Sequence, residues 1–107
     1  MNAIHKPYRH VVLFKFKPTT TAETVVSIEN AFRTFAASLP FVAGFEWGHN
    51  SSPEKLDKGF THCFIVTFKN EADRDAYLPH PEHKRFVHDY LDTNLDDVCV
   101  VDFYAGA

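Results

Sequence analysis

Tyr77-Leu78-Pro79-His80-Pro81-Glu82-His83 is the densest collection of proton-transfer groups in the chain, setting a phenol and two imidazoles around two prolines. Neutral imidazole takes or gives a proton near physiological pH, and a nearby phenol donates a hydrogen bond to an oxygen that gains charge during reaction. The segment therefore suits general acid/base chemistry. Pro79 and Pro81 break the helical register beside both histidines, and Pro81 suits a first helical position. His80 precedes a proline, which biases its backbone to an extended shape and favours a turn-forming or capping role over chemistry, with contact to a substrate as its functional alternative. For His83 the structural alternative is a helix-start imidazole that bonds a loop carbonyl and fixes the proline turn.

His80 and His83 also have H-x-x-H spacing, with His88 further along. Pro81 interrupts the helix that would align them and no third ligand follows, so neither a metal site nor a cofactor is expected. His10 and His62 lie on strand faces that otherwise carry Val and Phe, where a buried imidazole needs a hydrogen-bond partner or a solvated cavity. Two such histidines favour a polar-lined pocket. Trp47 and Phe64, with Phe45 and Phe68, would give it apolar walls, unless these rings fill the core or a dimer interface. Asp102, a lone carboxylate in the last strand, is of interest as a group that could fix the tautomer of an imidazole.

The elements that must position these groups follow from periodicity. Tyr8 to Lys17 alternates His10, Val12, Phe14 and Phe16 against Val11, Leu13, Lys15 and Lys17, a first strand ended by Pro18. Thr20 with Glu23 resembles a capping box, and Val25, Ile28, Phe32, Phe35 and Leu39 recur at helical spacing up to Pro40. Val42 to Trp47 is a short second strand, and Asn50 to Gly59 a polar loop. Thr61 to Lys69 alternates as a third strand. Asn70 caps a short helix with Asp73 in its first turn, helix resumes over Glu82 to Leu91 after the prolines, and Val98 to Tyr104 is a fourth strand with Asp102 facing the same way as Val98 and Val100.

The order β-α-β-β-α-β, with the second helical part broken in two, implies an α+β, ferredoxin-like fold: a four-stranded antiparallel sheet with helices on one face. At 107 residues the chain has room for one core, so residues 1–107 form a single domain, with its core at about 9–104 and an N-terminal extension over 1–8. Several strands are apolar on both faces while only one helical layer exists, which leaves one sheet face for a second copy; a homodimeric barrel is the expected assembly.

A net charge of −3 offers no general attraction to phosphate backbones or anionic lipid, so nucleic acid and membrane are not expected partners. No stretch reaches membrane-spanning length, and Met1 to Pro7 lacks the apolar core of an export signal. Cys63 and Cys99 sit singly in apolar runs without the spacing of a metal knuckle or redox pair. A reducing cytoplasm fits these features.

Taken together, His10-Val11-Val12-Leu13-Phe14-Lys15-Phe16-Lys17, Gly59-Phe60-Thr61-His62 leading into Val66-Thr67-Phe68, the Tyr77 to His83 segment, and Val101-Asp102-Phe103 resemble the stress-responsive dimeric α/β-barrel (Dabb) family. The resemblance runs from about Arg9 to Tyr104. It implies a homodimeric barrel, and, by likeness to a plant member that closes a linear polyketide by intramolecular aldol condensation, specific roles. His83 would be the general base at a carbon α to a carbonyl, Tyr77 would hydrogen-bond a substrate oxygen, His10 would help to hold or polarise the substrate, and His62 would line the same cavity. The expected function is thus binding of a small apolar carbonyl compound between sheet and broken helix, with cofactor-independent condensation, cyclisation or isomerisation. The alternatives are a non-catalytic stress-induced or ligand-binding dimer and, third, a monooxygenase of the same barrel architecture.

Overall fold

The computed structural model describes residues 6–106, so the extension expected over 1–8 lies largely outside the described residues. Four strands form one antiparallel sheet in the order β2-β3-β1-β4: β1 (Tyr8–Phe16), β2 (Val42–His49), β3 (His62–Phe68) and β4 (Leu95–Tyr104). Helices α1 (Ala22–Ser38), α2 (Glu71–Tyr77) and α3 (Pro81–Phe86) cover one face, and a π-helical turn spans Val87–Leu91. This is the ferredoxin-like arrangement. The alternation of β1 is realised directly, with Tyr8, His10, Val12 and Phe14 buried beneath the helices.

Helix α1 turns Ile28, Phe32, Phe35 and Ala36 inward, and Leu39 follows them into the core. Its cap lies one residue beyond the expected Thr20: Thr21 accepts from the Thr24 backbone N–H at 3.1 Å. Thr20 is engaged elsewhere, its hydroxyl donating to the Asn94 carbonyl at 3.1 Å ahead of β4. Asn70 caps α2, its side chain accepting from the Asp73 N–H at 3.0 Å.

Two strands outrun their hydrophobic signal. β2 continues to His49 because His49 pairs directly with His62, and β4 begins at Leu95 because Phe16, past a register shift that leaves Asp96 as the extra residue of β4, supplies its partner. Helix does not run uniformly over Glu82 to Leu91. Asp92 N–H reaches the Val87 carbonyl at 3.0 Å, five residues back, and this wider π turn ends the helical segment.

On the face away from the helices, the pairing aligns Ile65, Val11 and Val101 in one row and Cys63, Leu13 and Cys99 in the next. Val101 and Phe103 are 55% and 44% exposed there. Cys63 and Cys99 flank Leu13 from opposite sides, two inter-strand spacings apart, which at about 4.8 Å each exceeds the Cα reach of a disulfide. Both are free thiols, and burial pushes the Cys63 thiol up.

Candidate functional site

The two prolines create the site. Helix α2 ends at Tyr77, and His80 N–H turns back to the Tyr77 carbonyl at 3.1 Å. Pro79 and Pro81 cannot donate backbone hydrogen bonds, so the helix cannot continue, and α3 starts afresh with Pro81 in its first turn. His80 caps it, Nδ1 accepting from the Glu82 N–H at 3.1 Å, while its ring sits 5.9 Å from that of Phe41. This reversal lays His83 over Tyr77, with ring centroids 4.7 Å apart. His83 Nδ1–H donates to the Leu78 carbonyl at 2.9 Å. One imidazole thus fixes the turn through Nδ1 and keeps the Nε2 lone pair unengaged, so the structural reading of His83 does not conflict with a chemical one.

From β1, His10 brings its ring to 5.5 Å from Tyr77. Its Nδ1–H donates to Asp102 Oδ1 at 2.7 Å across the β1–β4 pair, where the two residues stand opposite each other. Asp102 also receives the Arg74 guanidinium, which in turn donates to the Tyr8 hydroxyl at 2.8 Å and lies over that ring. Asp102 therefore meets His10, not His83. Arg74, on α2, supplies the balancing charge for a partly buried carboxylate; sequence spacing gave no sign of it, because the pairing spans 28 residues.

His10, Tyr77 and His83 converge on a cavity of about 530 Å³ between β1, β4 and the broken helix. Its walls are apolar, with Val12, Phe14, Phe32, Phe86 and Leu91, and the exposed Asp92, Asp96 and Asp97 stand at its rim. Val87 and Leu91, the ends of the π turn, both border it. Burial lowers the His83 pKa below that of ordinary imidazole; the Leu78 bond opposes this, and His10 and His80 add to it. Burial pushes the Tyr77 phenol far up, so it remains an O–H donor throughout the useful pH range.

The remaining candidates lie elsewhere. His62 does not line this cavity: β3 carries it opposite Phe14, one end of the sheet away from His10, and its Nε2 bonds Glu29 at 2.7 Å. Trp47 stacks near His62 and borders a separate cavity of about 380 Å³, and Phe64 is fully buried between Phe14 and Phe32 as core. These positions follow from pairing register, since His62 and His10 share a face but sit four residues apart along β1. His80, His83 and His88 bring no three ligand atoms together; among the described residues that arrangement occurs at Glu29, His49 and His62.

Asp102→Asn tests the second layer of the site. An amide facing Nδ1 can turn its N–H₂ toward the ring, which moves the imidazole proton to Nε2 and leaves Arg74 with Asp75 and Glu71 as its carboxylate partners. The ¹⁵N spectrum of His10 is expected to switch tautomer, and any His10-dependent turnover to fall about 10–100-fold. An unchanged spectrum would remove Asp102 from this role.

A ferredoxin-like sheet whose proline elbow sets a histidine and a tyrosine over a cavity in its helix-covered face defines an α/β-barrel-type domain. The chain belongs to the family described as the stress responsive A/B barrel domain, whose model matches residues 8–105. It is 31% identical over 97 residues to the stress-response A/B barrel domain-containing protein HS1 of Arabidopsis thaliana, covering 91% of this chain and 88% of that one. It is 24% identical over 78 residues to olivetolic acid cyclase of Cannabis sativa, covering 73% and 77%. Among solved structures, a protein from Thermobifida fusca described as dimeric and ferredoxin-like superposes with a TM-score of 0.78 at 21% identity, covering 94% of this chain and 92% of that one. No described helix is long and apolar enough to cross a membrane.

Proposed function

We propose that the chain binds a small, mostly apolar carbonyl compound in the cavity beneath the proline elbow and catalyses cofactor-independent acid/base chemistry on it. The convergence of His83, Tyr77 and His10 on one apolar-walled space carries this reading. His83 Nε2 takes a proton from the carbon α to the carbonyl, the electron pair moves to the carbonyl oxygen, and the Tyr77 hydroxyl donates to the enolate so formed. In a condensation or cyclisation the carbanion then attacks a second carbonyl, and the His83 imidazolium returns its proton to the new alkoxide. His10, its ring fixed by Asp102 through Nδ1, offers its Nε2 lone pair as an acceptor for a hydroxyl on the substrate. The acidic rim at Asp92, Asp96 and Asp97 favours neutral compounds over free carboxylates. Likeness to a protein named as a cyclase supports the same reading.

The test does not depend on the identity of the physiological substrate. A panel of methyl ketones, β-diketones and β-ketothioesters in D₂O, followed by ¹H NMR, is expected to include at least one compound whose α-protons exchange faster with protein than with buffer alone. If shifts show binding but no exchange is accelerated, the chain is a ligand-binding protein and the catalytic part of the proposal falls.

A second copy of the chain covers the open sheet face in this proposal, as its two apolar cross-strand rows require. Light scattering at micromolar concentration is expected to give about twice the 12.2 kDa chain mass. A soluble 12.2 kDa species under those conditions would overturn the dimer. Two separated free thiols agree with a reducing, cytoplasmic setting.

A further inference from the structure

Away from the elbow, Glu29, His49 and His62 form a cluster that the proposed chemistry does not use. Both imidazoles direct Nε2 at the same carboxylate oxygen, Glu29 Oε2, at 2.9 Å from His49 and 2.7 Å from His62. The side chains of Glu29 and His62 are 9% and 8% exposed, whereas that of His49 is 62% exposed. Regular elements hold all three: His49 and His62 stand opposite each other in the β2–β3 hairpin, and Glu29 comes from the buried face of α1. Behind His62, the Thr61 hydroxyl lies 2.8 Å from Nδ1.

We propose that Glu29, His49 and His62 are the protein ligands of a divalent transition-metal ion of the zinc class, which ties α1 to the β2–β3 hairpin. The three ligand atoms already lie within 4.8 Å of one another. Two imidazole nitrogens with one carboxylate oxygen match zinc, cobalt or nickel, and not the all-oxygen shells of calcium or magnesium. In a tetrahedral site with bonds of about 2.0–2.1 Å, neighbouring ligand atoms stand about 3.3 Å apart. Opening the present contacts by about half an ångström admits the ion. The exposed His49 ring can make that adjustment and gives the ion its way in. When Nε2 binds metal, the His62 proton sits on Nδ1 and donates to the Thr61 hydroxyl, an outer-shell bond of the kind that orients ligating histidines. Water takes the fourth position.

Without an ion the same residues form a histidine–carboxylate–histidine hydrogen-bond cluster. Burial pushes the Glu29 carboxyl up, but the bonds from His49 and His62 outweigh it and hold the carboxyl below its ordinary value.

Calorimetric titration of the chelator-treated full chain with Zn²⁺ and with Co²⁺ at neutral pH tests the site. One ion per chain is expected, with the intense visible band of tetrahedral cobalt and a rise in Tm as zinc is added. His49→Ala removes a ligand at the surface without opening the core, and is expected to weaken binding at least about tenfold. Glu29→Gln should do the same, while His80→Ala, which destroys the H-x-x-H pair, should bind as the parent does. Absence of saturable binding, or binding that His49→Ala leaves intact, or binding lost in His80→Ala, would each overturn the site. Because His49→Ala spares the elbow, these outcomes are independent of whether α-proton exchange is catalysed.

Discussion

His83→Ala is expected to abolish accelerated α-proton exchange, lowering the rate by about 10²–10⁴-fold, the usual contribution of a positioned general base. Of the two other imidazoles near the elbow, His80 caps α3 and does not border the cavity, and His10, bonded to Asp102 through Nδ1, is the group proposed to hold the substrate. The variant also loses the bond to the Leu78 carbonyl and the ring contact with Tyr77. A net hydrogen bond of about 0.5–1.5 kcal/mol should lower Tm by no more than about ten degrees in a domain of this size. A near-complete loss of exchange with a small loss of Tm is therefore the signature of a base; collapse of the fold would make His83 a structural clamp. The pH profile gives an independent check. Only neutral His83 can accept the proton, and burial holds its pKa below the ordinary imidazole value of 6.5. Turnover should rise with pH through a value below 6.5 and stay level above it. A base limb above neutrality would point to another group.

Phe32→Ala is expected to cost about 3–5 kcal/mol, the range for emptying a fully buried aromatic position. Phe32 is 2% exposed and lies within 4.6–6.2 Å, ring centre to ring centre, of Phe64, Phe86, Phe45, Phe14 and Phe35. Through these rings one side chain of α1 joins β1, β2, β3 and α3, so its loss opens a void that no single element can close. At about 4–8 °C for each kcal/mol, Tm should fall on the order of 20 °C. Val26→Ala, on the 51% exposed outer side of the same helix, should stay within about 0.5 kcal/mol of the parent. Similar losses in the two variants, by chemical denaturation, would show that the aromatic stack is not the keystone of the core.

These two residues show how differently structure and chemistry depend on the same rings. Phe32 also borders the cavity, so the core that stabilises the sheet forms the apolar wall against which His83 is desolvated. The low pKa of His83 is thus a property of packing as much as of the elbow, and a cavity-filling substitution such as Val12→Ile would act on both.

The β-α-β-β-α-β order, the inward face of α1, the Asn70 cap and the proline break were legible from periodicity and from backbone chemistry that acts within a few residues. The elbow was legible for the same reason: two residues that cannot donate hydrogen bonds, placed two apart, force the chain to turn wherever it finds itself. The shift of the α1 cap to Thr21 was not, because Thr20 is drawn to Asn94 across 74 residues. Glu29 had a signal, a carboxylate on the buried face of α1, and so had His49 and His62, two histidines flanking a hairpin loop. Joining the three required knowing where α1 crosses the sheet. By itself, then, the sequence determined the elements, their order and the proline elbow, since these depend on local sterics and on which faces must leave water. Tertiary structure alone decided that Asp102 serves His10, that Arg74 balances it, and that His62 stands with Glu29 instead of His83. Each of those pairings is set by strand register and helix docking, and a slip of one or two residues in either would redistribute the charges without altering the hydrophobic pattern.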